Sequence, residues 1–174
     1  MENHHKQEKH QVVPIPPNDF SLTILNGRHI ASLATQRKDG SIHLAAIWYL
    51  FKDGHLYFPT SSKSQKVRNV EGSPIATAMI DTRMPGQEQG VSVSGSAAVI
   101  RGERGRALVA EAQRRYLTDV ALADTDVGPV YAEFDDVVIM ITPERWTTWN
   151  IAQMNVEQFD GKLGVETGYL YPLD

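Results

Sequence analysis

Ile30-Ala31-Ser32-Leu33-Ala34-Thr35, a turn at Lys38-Asp39-Gly40, a long apolar run from Ile42 to Phe51, a second turn at Lys52-Asp53-Gly54, and then Leu56-Tyr57-Phe58: the reading of this stretch decides the fold. Asp-Gly between apolar runs marks a tight hairpin, because the central positions of such turns need positive φ. Two of them in close succession predict three antiparallel strands arranged as a meander. Within the second run Ile42, Leu44, Ala46, Trp48 and Leu50 share one face, while Ala45, Ile47, Tyr49 and Phe51 share the other. Both faces are apolar, so this strand is expected to be covered on both sides, by a barrel core within and by something else without.

Downstream, Ser61 to Ser64 lead into a short helix over Gln65 to Val70, closed by Gly72-Ser73-Pro74, and Ile75 to Ile80 reads as a fourth strand. After a Gly-, Pro- and Gln-rich loop, Val91-Ser92-Val93-Ser94-Gly95-Ser96-Ala97-Ala98-Val99 alternates cleanly, valines inward and serines outward. Arg104 to Leu117 is an amphipathic helix with Leu108, Ala112 and Tyr116 on one side. Thr118 to Gly128 reads as a loop, and two last strands, Val137 to Thr142 and Trp146 to Asn150, are divided by Pro143-Glu144-Arg145. Upstream, Asn18 caps a helix through Leu25 that would lid the barrel, with Gly27 past its end. Residues 1–17 are polar and punctuated by Pro14, Pro16 and Pro17, which predicts a flexible arm. The chain therefore divides into that arm, a barrel domain over 18–151 and a C-terminal extension over 152–174. The fold class is mainly β: a small, closed or partly closed antiparallel barrel of six to seven strands with a few helices.

Bulk properties exclude several functions. With 174 residues and 41% hydrophobic composition, one domain can bury a core without staples. A net charge of −4 argues against a nucleic-acid binder that relies on a basic face. No cysteine occurs, so disulfides, thiolate catalysis and cysteine-ligated zinc are absent together. With no apolar leader at Met1 to Gln11 and no run of eighteen apolar residues, a cytoplasmic protein is expected. His4, His5 and His10 in the arm, and His29, His43 and His55 in or beside strands, lack metal-ligand spacing, and no metal is assigned. Without Gly-x-Ser-x-Gly or a set Ser/His/Asp group, a hydrolase is not supported.

The segment that carries chemistry is Thr60-Ser61-Ser62-Lys63-Ser64-Gln65-Lys66-Val67-Arg68-Asn69, at the junction of a strand end and a helix start. Unpaired first-turn N–H groups, the helix dipole, several hydroxyls, Lys66 and Arg68 together can hold a phosphate. The same residues also read as a serine-rich loop before an exposed basic helix face. Trp48, Trp146 and Trp149 fall near strand ends, where an indole can wall a flat ring or simply pack the core.

The order Ile30–Thr35, Asp39-Gly40, Ala46-Ile47-Trp48-Tyr49, Leu56-Tyr57-Phe58 and Ser64-Gln65-Lys66-Val67-Arg68-Asn69-Val70 resembles the pyridoxamine 5'-phosphate oxidase-like split-barrel family, from about Ser21 to about Ile151. It is most similar to the branch of flavin and deazaflavin oxidoreductases with a Trp-Tyr strand motif ahead of a Ser-x-Lys-x-x-Asn loop. The resemblance implies a split-barrel homodimer with two cofactor sites at the subunit interface. By position it assigns Thr60, Ser61, Ser64, Lys66, Arg68 and Asn69 to the phosphate, Ile47 and Trp48 to the strand backing the ring, and Trp149 to an aromatic near the end of the last strand. Where oxidases of pyridoxamine phosphate carry an arginine early on the second strand, this chain has Ile42-His43-Leu44, so vitamin oxidation is not expected. Coenzyme F420 is the expected cofactor, with FMN as the alternative.

The implied activity is hydride transfer from reduced F420, or FMN, to a small conjugated, electron-poor substrate. In such chemistry the cofactor reacts while the protein orients it, so no residue is assigned a catalytic role. The other readings are a binding or carrier protein for a flavin, F420 or haem, without turnover, and a structural barrel with an empty site. Homodimer partner and small-molecule substrate are the expected partners, with no nucleic acid and no membrane.

Overall fold

In the computed structural model residues 18–173 are described, so the arm and its His4, His5 and His10 lie outside the described residues. Seven strands form one antiparallel sheet: β1 (Ala31–Gln36), β2 (Ile42–Ile47), β3 (Leu50–Lys52), β4 (His55–Ser61), β5 (Ile75–Thr82), β6 (Gln89–Ile100) and β7 (Asp136–Asn150). Their order across the sheet is β2-β1-β5-β6-β7-β4-β3. The two edges, β2 and β3, are thus consecutive in the chain, joined by Trp48 and Tyr49 alone. Three peptide units from Ile47 to Leu50 reach at most about 11 Å. In a flat sheet six strand spacings would hold the edges about 29 Å apart. The sheet must therefore curl until its edges nearly meet, which is the split barrel expected.

The expected meander is corrected at this point. The two Asp-Gly hairpins are present, with Gly40 at φ 84°, Asp53 at 51° and Gly54 at 75°. The apolar run Ile42 to Phe51, however, is two strands: Leu44 pairs with Ala34 of β1, whereas Leu50 pairs with Tyr57 of β4. Side-chain alternation continues through Trp48-Tyr49 while the hydrogen-bonding partner changes, and alternation carries no record of the partner. The last two predicted strands are corrected in the opposite sense. They are a single fifteen-residue β7, with the break at Pro143-Glu144-Arg145 absorbed as a register shift against Ser94/Gly95 of β6. Gly95 is required there, because a Cβ would stand 2.0 Å from the Thr142 carbonyl oxygen.

Leu33, Phe58, Ile80, Val91, Val93, Ile139 and Ile141 fill the barrel interior. Helix α1 (Asp19–Asn26) closes one end with Ile24 and Leu25, its Asn18 Oδ1 accepting from Ser21 N at 2.8 Å. Helix α2 (Gln65–Gly72) packs Val67 and Val70 against the same core. Helix α3 (Gly102–Tyr116) lies on the outer surface, where Leu108, Val109 and Ala112 cover Leu50, Tyr57 and Val138. The segment after it, read as a loop, holds two short helices, α4 (Asp119–Ala123) and α5 (Gly128–Glu133), the first capped by Thr118. Helix α6 (Ile151–Phe159) follows β7 without a break and opens the C-terminal extension. Asn155 holds it, donating from Nδ2 to the Leu163 oxygen at 2.7 Å and accepting from Leu163 N at 2.9 Å. Among the described residues no helix is long and apolar enough to cross a membrane.

Candidate functional site

The predicted anion segment folds as the end of β4, a tight turn and the start of α2. Ser64 is the N-cap, its Oγ accepting from Val67 N at 3.4 Å and from Thr60 Oγ1 at 3.2 Å. Ser61 Oγ accepts from Lys63 N at 3.3 Å. Two residues of the segment are already engaged within the fold. Arg68 folds back to donate to the Lys63 oxygen at 2.5 Å and to Gln65 Oε1 at 2.8 Å. Asn69, buried, donates to Thr35 Oγ1 at 3.0 Å and accepts from Gln65 Nε2 at 2.6 Å, so it fastens α2 to β1.

Lys66 is placed differently. It is half-buried, and that burial pushes its ammonium below the usual lysine range. His43 of β2, directly across from Thr35, lies within range of the Lys66 charge. Burial first, then the charges of Arg37 and Lys66, hold the His43 imidazole below its ordinary value. His43 Nδ1 is buried without a hydrogen-bond partner among the described residues. A partly desolvated ammonium and an imidazole nitrogen without a partner are groups whose polar needs an anion can meet. In the sequence His43 was weighed only as a metal ligand, beside His29 and His55. The available signal was register: the first hairpin sets His43 opposite Thr35, hence on the inward face.

About 10 Å along β2 from His43, Ala46, Ile47 and Trp48 form one wall of a cavity of about 310 Å³. Pro59 of β4, Gln113 of α3, Tyr131 and Phe134 around α5, and Asp136 at the start of β7 complete it. Trp48 belongs to an aromatic run: its ring is stacked with Tyr116 at 4.8 Å and 4°, and with Tyr131 at 6.3 Å and 13°. Tyr131 meets Phe134 edge-on at 5.4 Å. The crossing at Trp48-Tyr49 is fixed from both sides. Tyr116 Oη donates to the His29 oxygen at 2.6 Å, and the buried Tyr49 Oη donates toward the carbonyls that end α1, Leu25 at 3.0 Å and Gly27 at 2.9 Å.

The structure thus brings Ile47 and Trp48 together with Pro59, the residue before Thr60, in one cavity wall. It does not bring Trp149 to them. Ser61 pairs with Asp136 at one end of β7, whereas Trp149 lies thirteen residues further along, roughly 40 Å of strand. There its indole covers Gly90, whose Cβ would be 2.3 Å from the ring.

A family model described as pyridoxamine 5'-phosphate oxidase matches residues 19–150. No curated protein matches the chain in sequence. Among solved structures, a conserved hypothetical protein of Mycobacterium tuberculosis, Rv2991, is similar at 22% identity and TM-score 0.66, over 86% of this chain and 93% of that one. A protein described as an F420 reductase is similar at 24% identity and TM-score 0.57, over 75% and 98%. HutZ, described as a haem storage protein of Vibrio cholerae, is similar at 13% identity and TM-score 0.56, over 74% and 90%. At these identities the likeness is one of fold.

Proposed function

Since the chain belongs to the pyridoxamine 5'-phosphate oxidase family, we propose that it is a flavin- or deazaflavin-dependent oxidoreductase, with F420 the preferred cofactor and FMN the alternative. The observation that carries this reading is the half-buried Lys66 and the His43 imidazole, whose Nδ1 is buried without a hydrogen-bond partner among the described residues, with a cavity walled in part by Trp48, Tyr131 and Phe134 further along β2. The spacing is comparable to the reach of the five-carbon chain and ester that join a flavin ring to its phosphate. The residues present therefore fit a phosphorylated flat ring. Lys66, His43, Thr60 and Ser61 would hold the phosphate, and Ile47 and Trp48 would back the ring.

A bound flavin or deazaflavin supplies the hydride for a conjugated, electron-poor acceptor. The chain's own contribution is orientation and exclusion of water: Tyr116 holds Trp48 in place, and Tyr131 and Phe134 close the cavity from the helical side. Ile42 and Leu44 are 59% and 66% exposed on the outer face of β2, beside Ile75 at 56%. A contiguous apolar face of this kind marks an interface, and a second copy of the chain is the occupant we assign to it. Trp149 would then contribute to a site only across that interface.

Equilibrium titration of the protein with FMN and with F420 tests the proposal. Micromolar or tighter binding of one, weakened at least tenfold by Lys66→Ala, supports it. Binding of neither overturns it and favours the haem-binding reading, for which the likeness of fold to HutZ is the motive.

A further inference from the structure

Helices α4 and α5 bury none of their residues, and apolar side chains such as Val120 and Val130 stay at the surface. The two helices nevertheless form one unit. Asp124 pins the turn between them, its Oδ1 accepting from Asp126 N at 2.9 Å and from Val127 N at 3.0 Å. Gly128 lets them close up, because a Cβ there would stand 2.3 Å from the Leu122 carbonyl oxygen. The unit reaches the barrel through Tyr131, whose carbonyl accepts from Gln113 Nε2 of α3 at a long 3.3 Å and whose ring is stacked with Trp48. A segment with so little buried surface, attached at its tip by a long hydrogen bond, opens at low cost. Its far end is held at Asp135, whose carbonyl accepts from Ser62 N at 2.9 Å and whose carboxylate accepts from Ser62 Oγ in the turn ahead of α2.

The two aromatic partners of Trp48 differ. Tyr116, which is no part of the cavity wall, stacks on the indole with centres 4.8 Å apart and is itself tied to the His29 oxygen. Tyr131 lines the cavity with Trp48 and is nearly parallel to it, at 13°, but its centre is 6.3 Å away. A flat ring held between two others needs about 7 Å between the outer faces, twice the ~3.5 Å separation at which carbon atoms attract best. Trp48 is fixed by Tyr116, so the room for such a ring comes from the Tyr131 side. We propose that α4 and α5 form a lid on the cavity, and that Tyr131 is a positioning residue that closes on the second face of a flavin or deazaflavin ring backed by Trp48. This rests on the cofactor reading above and adds a gate to it. With both faces covered, an electron-poor acceptor reaches the ring only when the lid swings out, so lid opening controls acceptor entry.

The test is ligand titration and amide hydrogen exchange on wild type, Tyr131→Phe and Tyr131→Ala, with whichever of FMN and F420 the wild type binds. No residue of α5 is buried, so both variants are expected to melt with the wild type in the absence of ligand. In wild type the amides of Asp119 to Glu133 are expected to exchange fast in the free protein and to slow by about fivefold or more on binding. Tyr131→Ala is expected to bind about tenfold more weakly, the size of one lost aromatic stack, with faster dissociation, whereas Tyr131→Phe keeps the ring face and stays within about twofold of wild type. Equal affinity in wild type and Tyr131→Ala, or lid exchange that the ligand leaves unchanged, overturns the lid while leaving the cofactor reading intact. A loss in Tyr131→Phe as large as that in Tyr131→Ala assigns the effect to the hydroxyl and overturns the stacking role. A wild type that binds neither FMN nor F420 overturns both readings.

Discussion

Lys66 and His43 are partly buried groups whose charged forms the fold disfavours. Burial disfavours the charged form of each, so the fold carries a cost at these positions that an anion offsets. Lys66→Met is therefore expected to leave the melting temperature of the ligand-free protein unchanged or higher, while abolishing the rise that inorganic phosphate produces in wild type. A thermal scan with and without phosphate reads both effects. For His43 the sign follows from its lowered folded-state value. The unfolded chain, titrating near 6.5, takes up a proton before the folded one does. The contribution of His43 to stability is thus complete above that value and is lost as pH falls through it toward the folded value. His43→Gln should flatten the urea midpoint between about pH 7 and pH 5; an unchanged slope would assign the acid sensitivity elsewhere.

At the level of elements, the consequential event is the exchange of partner strands at Trp48-Tyr49. Tyr49 Oη and the Arg115 guanidinium converge on the carbonyls of Leu25 and Gly27, so one cluster ties the end of α1, the crossing and α3 together. Burial pushes the Tyr49 phenol up to about 12. Tyr49→Phe removes a buried donor and is expected to cost about 1–2 kcal/mol in chemical denaturation. Gly95 serves the bulge in the same structural sense. Gly95→Ala places a methyl against the Thr142 carbonyl, and it should destabilise by roughly 1–3 kcal/mol and displace the second half of β7. Amide-exchange protection of Thr147 to Asn150 is the readout, and full protection in the variant would contradict that account of the bulge.

For the molecule as a whole, the outer faces of β2 and β5 are where the proposed second copy would pack. Leu44 pairs across β1 Ala34 to Thr77 of β5, and Ile42 and Ile75 border the same hollow. Leu44→Asp puts a charge on this exposed apolar face without touching the barrel interior. The expected outcome is a monomer in sedimentation velocity, with the wild type a dimer, and weaker cofactor binding if Trp149 acts across the interface. A wild-type monomer would remove both expectations.

Much of the architecture was legible in the chain because its signals are local. Positive-φ turn residues mark hairpins at Asp39-Gly40 and Asp53-Gly54, alternation marks the inward valines of β6, and Asn18 and Ser64 mark helix starts by capping chemistry. The family resemblance placed Thr60, Ser64 and Lys66 at one turn on the same local grounds. Tertiary structure alone decided which strands pair, that Ile42 to Phe51 breaks across the two sheet edges, and that β7 is continuous through its proline. It also engaged Arg68 with Lys63 and Gln65 and fastened Asn69 to Thr35 of β1. The physical reason is one of range: a turn or cap is settled by atoms a few residues apart, whereas pairing and burial depend on what the rest of the chain brings to the other side.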